Sequence, residues 1–244
     1  MKMDQFGYYI NGMISGFVAT IFSHPAYNIK TVLQTGEKIQ SKQIRSINWL
    51  YRGFLRAAIG YSGEKMFVFG TYNTLLNYNL NPTISGIISG ASGAIITTLS
   101  EQLAIDKVRG ICNYRFSHLY SGFIPTVMRE SLGFGVHFTV YDFISNKINP
   151  EREMNKTIIC GTVAVICGWT IVTPIDRIKT LFQTGNITFN TSTRNIFRKI
   201  YISLQRGAFQ GFPYVMARAI PFHTVSFCTM EYLNKNRQNL NLFE

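Results

Sequence analysis

The sequence predicts an all-α membrane protein: six transmembrane helices, arranged as three copies of a two-helix unit within one domain over residues 1–244. Three observations predict it. Apolar residues make up 46% of the chain and charged residues only 15%, whereas a soluble domain carries about 25% charged residues. The formal net charge is nevertheless +12, and the basic residues gather between long apolar stretches. A proline-centred motif in the first of those stretches recurs in the fifth. A nucleic-acid-binding protein this basic would concentrate its charge on one face of a soluble core, so nucleic acid is excluded as a partner.

A bilayer-crossing helix needs about 20 mostly apolar residues. Six segments have that length: 6–33, 54–76, 83–109, 123–145, 157–182 and 212–233. Several hold charge. The second contains Glu64 and Lys65, the fourth Arg129, Glu130 and His137, and the sixth Arg218 and His223. Charge at membrane depth is costly, so these side chains face a bundle interior or a water-filled cavity. Six imperfect spans with inward charges describe a transporter rather than an anchor. His137 and His223 are expected as packed interior histidines. Spacings such as Gly12-x-x-x-Gly16 let neighbouring helices approach closely.

The loops are unequal. Segment 34–50 holds Lys38, Lys42 and Arg45, and segment 184–206 holds Arg194, Arg198, Lys199 and Arg206, while 77–82 has no charge. The positive-inside rule puts the basic loops on the matrix or cytoplasmic side and both termini on the opposite side. Nothing in the chain points to bond chemistry. Cys112, Cys160, Cys167 and Cys228 form no CxxC pair and no histidine sits at metal-ligand spacing, so free thiols, no metal and no cofactor are expected. There is no phosphate loop and no nucleophile–base pair, so the chain is not expected to be an enzyme. The start, MKMDQFGYYING, lacks the small-residue site of a cleavable signal peptide.

The repeat is legible in two motifs. HPAYNIKTVLQTG (24–36) matches TPIDRIKTLFQTG (173–185), aligning Pro25 with Pro174, Lys30 with Lys179 and Gln34 with Gln183. That offset is twice a period of about 75 residues, which calls for a middle copy near residue 100 and for repeats of roughly 1–76, 77–146 and 147–244. One register reads the middle copy as Ala104, Asp106 and Arg109 at the proline, acid and base positions. A second puts Leu99 at the proline and Glu101 at the acid, and aligns Gly86 and Gly90 better. The first is preferred because it keeps an acid and a base at the right spacing. The second motif is an aromatic-x-Gly before each even-numbered span: Tyr51-Arg-Gly53, Tyr120-Ser-Gly122 and Phe209-Gln-Gly211.

The pattern P-x-[DE]-x-x-[KR]-x-x-x-Q in triplicate, with an aromatic-x-Gly after each, resembles the mitochondrial carrier family. Pro174, Asp176, Lys179 and Gln183 match it fully. The resemblance implies a pseudo-threefold six-helix barrel with a central cavity and alternating access, in the mitochondrial inner membrane. Pro25 and Pro174 would kink their helices so that they converge. Each acid of the family pairs with the base on the next odd-numbered helix, which implies Asp106 with Lys179 and Asp176 with Lys30, braced by Gln34 and Gln183. The third pair fails because Tyr27 stands where an acid should face Arg109; a hydroxyl accepts a hydrogen bond but brings no charge. The opposite gate, [FY]-[DE]-x-x-[KR] in the family, becomes Tyr72-Asn73-x-x-Leu76, Tyr141-Asp142-x-x-Ser145 and Met230-Glu231-x-x-Asn234, with no base at any of its three sites. Since each inter-helix pair biases a two-state equilibrium, closure at that intermembrane end should be weak and the state open there preferred.

Family substrate contacts lie on the even helices near mid-membrane, which implies Gly60, Tyr61, Glu64 and Lys65, then Arg129 and Glu130, then Arg218. Arginine binds phosphate or carboxylate bidentately, so Arg129, Arg218 and Lys65 would suit an anion, and a nucleotide or other nucleoside-bearing metabolite is favoured. An Arg–acid pair on the fourth helix instead resembles carriers of amino acids and of S-adenosylmethionine, and a carrier-fold ion or proton leak is a third reading. The expected partners are the small-molecule substrate and membrane lipid. The basic loops could hold cardiolipin, whose head group is anionic. A monomer is expected. The chain is short for the family and its motifs are eroded, as in a parasite or a large intracellular virus, in which case the mitochondrion is a host's.

Overall fold

The computed structural model describes residues 5–34, 46–109, 119–120, 122–148, 153–183, 193–205, 209 and 212–240. Among these are six long helices: α1 (Gln5–Gln34), α2 (Phe54–Asn77), α3 (Pro82–Arg109), α4 (Phe123–Ser145), α5 (Glu153–Gln183) and α6 (Phe212–Leu240). Two shorter helices, Ile47–Leu50 and Thr193–Gln205, lie in the basic connections. The shortest long helix, α4, has 23 residues and so extends roughly 35 Å, enough for a hydrocarbon core of about 30 Å. Each long helix packs on its chain neighbours, and α1 packs on α6, which closes a six-membered ring.

The ring is inside out relative to a soluble protein. Its outer face carries Phe17, Phe22, Leu55, Ile59, Ile87, Ile95, Ile124, Leu132 and Ile171, all exposed, while Glu64, Lys65, Gln102, Arg129, Lys179 and His223 are buried. Lipid favours that outside, and a polar lumen favours that inside. Among the described residues, only Pro82–Leu103 and Asn155–Asp176 are apolar enough to qualify as spans on composition. The other four helices carry more polar residues, among them the buried Asn11, Glu64, Arg129 and His223. Several buried hydroxyls are satisfied within their own helix, as where Thr20 donates to Gly16 O at 2.7 Å and Thr98 to Ala94 O at 2.7 Å.

Small residues set the closest helix crossings. A Cβ on Gly12 or Gly16 would run into the α2 backbone at Lys65 or Tyr61, and one on Gly86 would meet Phe134 O at 2.8 Å on α4. Gly12 and Gly86 stand at the same offset before Pro25 and Leu99, and Gly161, against Phe227 of α6, at that offset before Pro174. The packing therefore aligns Leu99, not Ala104, with the two prolines. Pro25 and Pro174 both lie inside their helices, as does Pro221 in α6, which the motif does not include.

The three corners repeat closely. Tyr51, Tyr120 and Phe209 each meet the phenylalanine three residues on, Phe54, Phe123 and Phe212, edge to face at 5.8, 5.8 and 5.7 Å. In each, that phenylalanine's N–H donates to the carbonyl of the first aromatic at 3.0–3.1 Å. Gly53 and Gly122 take φ of +82° and +80°, a left-handed conformation open to glycine at little cost, which is why the motif ends in it. Helix α1 is tied to the first corner by Asn28 Nδ2, which donates to Leu50 O at 2.7 Å, and by Tyr51 Oη, which donates to Ile21 O at 3.0 Å.

Candidate functional site

Midway along the ring, α2 to α6 enclose a cavity of about 510 Å³, open solvent included. Its wall holds Tyr61 and Glu64 from α2, Thr97 and Glu101 from α3, Arg129, Glu130 and His137 from α4, Trp169 from α5, and Arg218, Phe222 and His223 from α6. Of the residues expected to meet substrate, Tyr61, Glu64, Arg129, Glu130 and Arg218 are thus brought together. Gly60 is not in the wall: it faces Ser100 across the α2–α3 crossing, where a Cβ would stand 3.0 Å from the serine Cβ. Lys65 is not in the wall either. It is fully buried, with its ammonium 3.3 Å from Glu64 Oε1 and 4.4 and 5.2 Å from the centroids of Phe134 and Phe222. A desolvated ammonium over aromatic faces is held by the ring quadrupoles as well as by its carboxylate. His137 and His223, expected as packed interior residues, are buried yet line the cavity.

At the end of the cavity towards the basic loops lies a charge network. Arg129 donates to Asp176 at 2.7 Å and to Glu101 at 3.3 Å and pairs with Glu130, while Lys179 pairs with Glu101. Arg129 and Lys179 are buried, whereas the Glu101 and Asp176 side chains each keep 32% exposure. Five donors on a planar guanidinium let one arginine serve three carboxylates. Lys179, expected to pair with Asp106, pairs with Glu101, which the glycine crossings put in the acid's place. Asp176 meets Arg129, and its expected pairing with Lys30 lies outside the described residues. The side chains of Lys30, Gln34, Asp106, Arg109 and Gln183 lie outside the described residues. Tyr27 stacks on His24 with centroids 5.8 Å apart.

The opposite end is closed by aromatic packing. Phe69, Phe138 and Phe227, at the same offset from Gly53, Gly122 and Gly211, form a triangle around the ring axis with centroid distances of 5.9, 5.6 and 5.8 Å, every contact edge to face. Tyr72 stacks on Phe138 at 3.6 Å and Tyr141 on Phe227 at 5.2 Å. Beyond them Tyr141 donates to Glu231 at 2.8 Å and Asn11 to Asn234 at 2.9 Å. The loss of bases from this gate therefore does not leave it open in the structure. Stacked rings occupy the end that ion pairs close in the family pattern. The signal was present as Phe-x-x-Tyr, Phe-x-x-Tyr and Phe-x-x-Met ahead of each gate acid position, but the phenylalanines fall outside that motif.

Comparison with known proteins agrees with this geometry. A family model for mitochondrial carrier proteins matches residues 150–240. The chain is 34% identical over 125 residues to a mitochondrial glycine transporter of Saccharomyces cerevisiae, covering 46% of this chain and 41% of that one. It is 24% identical over 298 aligned residues to a mitochondrial arginine transporter of Arabidopsis thaliana, covering 95% of each. It is 29% identical over 145 residues to a mitochondrial carrier-like protein of Acanthamoeba polyphaga mimivirus, covering 57% of this chain and 60% of that one. A closed ring of six helices, three like corners and a polar lumen coincide with these matches, and over the aligned ranges the chain is similar to mitochondrial carrier proteins.

Proposed function

We propose that this carrier exchanges an amino acid across the mitochondrial inner membrane by alternating access, binding it as a zwitterion in the central cavity. The observation that carries this reading is the charge pattern of the wall. Arg129 is held among Glu101, Glu130 and Asp176, and Lys65 lies beneath Glu64, so neither offers a cation to an anionic ligand. Arg218 is different. Among the described residues it pairs with no carboxylate, has the Tyr61 hydroxyl 3.5 Å away, and leaves its buried Nε without a partner. A substrate carboxylate suits Arg218, and an ammonium suits the Glu64 and Glu130 side of the wall.

The same pattern displaces the nucleotide reading. A polyphosphate in this cavity would lie among the carboxylates of Glu64, Glu101 and Glu130, and each like-charge approach at about 4 Å costs about 4 kcal/mol at an effective dielectric of 20. The relatives named for glycine and arginine transport support the amino-acid reading. A carrier-like protein in a mimivirus fits a chain that acts in the mitochondrion of a host.

The test is exchange in liposomes loaded with an amino-acid mixture or with nucleotides. Uptake should require internal amino acid and ignore internal nucleotide. Arg218→Lys keeps the charge but loses the bidentate fork, and should lower uptake about tenfold or more. Exchange driven by nucleotides alone would refute the reading.

A further inference from the structure

Resting on the amino-acid reading, a second set of wall residues has no part in holding the zwitterion. His137, Trp169 and His223 lie on the side of the cavity nearest the phenylalanine triangle. The two imidazoles are 5.1 Å apart, Trp169 is 6.5 Å from His223, and Phe222 closes the group at 5.2 Å from His223. Nε1 of Trp169 is buried without a hydrogen-bond partner, and the ring nitrogens of His137 are buried with none of good geometry, the Val165 backbone alone lying within reach of one of them. His137 itself is 4% exposed. Buried polar atoms left this way are rare in folded proteins, and here three of them sit in the wall of one cavity. Gly168 is part of the same arrangement, because a Cβ there would overlap the His137 ring.

We propose that this aromatic box is the side-chain subsite of the carrier and selects a neutral amino acid whose side chain offers both a hydrogen-bond donor and an acceptor, as a carboxamide does. The indole N–H can only donate, and it asks for an acceptor. A neutral imidazole presents one donor and one acceptor, and it asks for either. The flat rings of Trp169, His223 and Phe222 suit a planar group. A cationic side chain is disfavoured, because no carboxylate belongs to the box and Arg218 lies 5.8 Å from the Trp169 ring centroid. An acidic side chain would bring a second carboxylate where Arg218 is the one cation left without an acid among the described wall residues. An aliphatic side chain would cover the nitrogens without bonding them, and a site built to hydrogen-bond its ligand discriminates strongly against such an isostere.

The experiment is uptake into proteoliposomes by the full chain, with radiolabelled glutamine, leucine, arginine and glycine each tested against internal glycine. The subsite predicts glutamine at least tenfold above leucine and above arginine in the wild type. Trp169→Phe removes the N–H and keeps a ring, and should lower the glutamine-to-glycine uptake ratio about tenfold. A wild-type preference for leucine or arginine over glutamine overturns the proposal without touching the amino-acid reading, as does an unchanged ratio in Trp169→Phe. Absence of exchange with all four amino acids overturns both. The wild-type ranking needs no variant to fold, so a misfolded substitution does not spare the proposal.

Discussion

Lys65 shows how a residue can be legible as interior while its surroundings are not. Its position beside Glu64 in an apolar span demanded an inward direction, and the structure supplies it. Only the packing decides that the ammonium lies under three phenylalanine rings rather than in the cavity. The pair is a tightly enclosed one, with side-chain exposures of 0% and 9%. Removing one partner of such a pair leaves an uncompensated buried charge, at a cost of about 3–5 kcal/mol. Lys65→Met should therefore lower the unfolding temperature of the detergent-purified protein by on the order of 10 °C. Adding Glu64→Gln should recover most of the loss. A single Lys65→Met variant as stable as the wild type would mean that Glu64 is solvated after all.

At the scale of the helices, the question left by the sequence was which residues of α3 stand for the motif. Local spacing favoured Ala104, Asp106 and Arg109, because it preserved an acid and a base. The crossings favour Leu99 and Glu101, because Gly86 and Gly90 meet α4 where Gly12 and Gly16 meet α2. In this register Tyr27 of α1 and Ala104 of α3 occupy the two ends of the link that the chain lacks. Both charges of that link are missing together, so no ion is orphaned, whereas the other register strands Arg109 opposite a tyrosine. The two registers differ in a measurable coupling. A double-mutant cycle on transport with Glu101→Gln and Lys179→Gln should show an interaction of about 0.5–3 kcal/mol, and one with Asp106→Asn and Lys179→Gln should be additive within about 0.5 kcal/mol. The reverse pattern would restore the first register.

For the molecule as a whole, the two ends of the barrel use different physics. Towards the basic loops, carboxylates and cations bridge α3, α4 and α5. Towards the termini, three phenylalanines on α2, α4 and α6 meet at the axis. Charged pairs hold by directional bonds that salt weakens, while packed rings hold by contact and by exclusion of water. Phe138 touches both other members of the triangle and Tyr72 besides. Phe138→Ala should therefore open the seal, dissipating a potassium-set potential across proteoliposomes several times faster than the wild type, while Phe138→Leu stays tight. Equal tightness of the alanine variant would show that the triangle is not the barrier.

The sequence by itself determined the six helices, their ends to within a few residues except where α5 and α6 run longer, the threefold repeat, the likeness to mitochondrial carriers and most of the polar wall. Each of these is written in a periodic or local signal: apolar length, charge inside it, and a proline or glycine motif at a fixed interval. The tertiary structure alone decided the register of α3, the partners of Arg129 and Lys179, the withdrawal of Gly60 and Lys65 from the cavity, and the aromatic triangle and box. Those depend on which side chains from distant helices converge around the barrel axis, and a residue's distance along the chain says little about that when helices cross through glycine contacts.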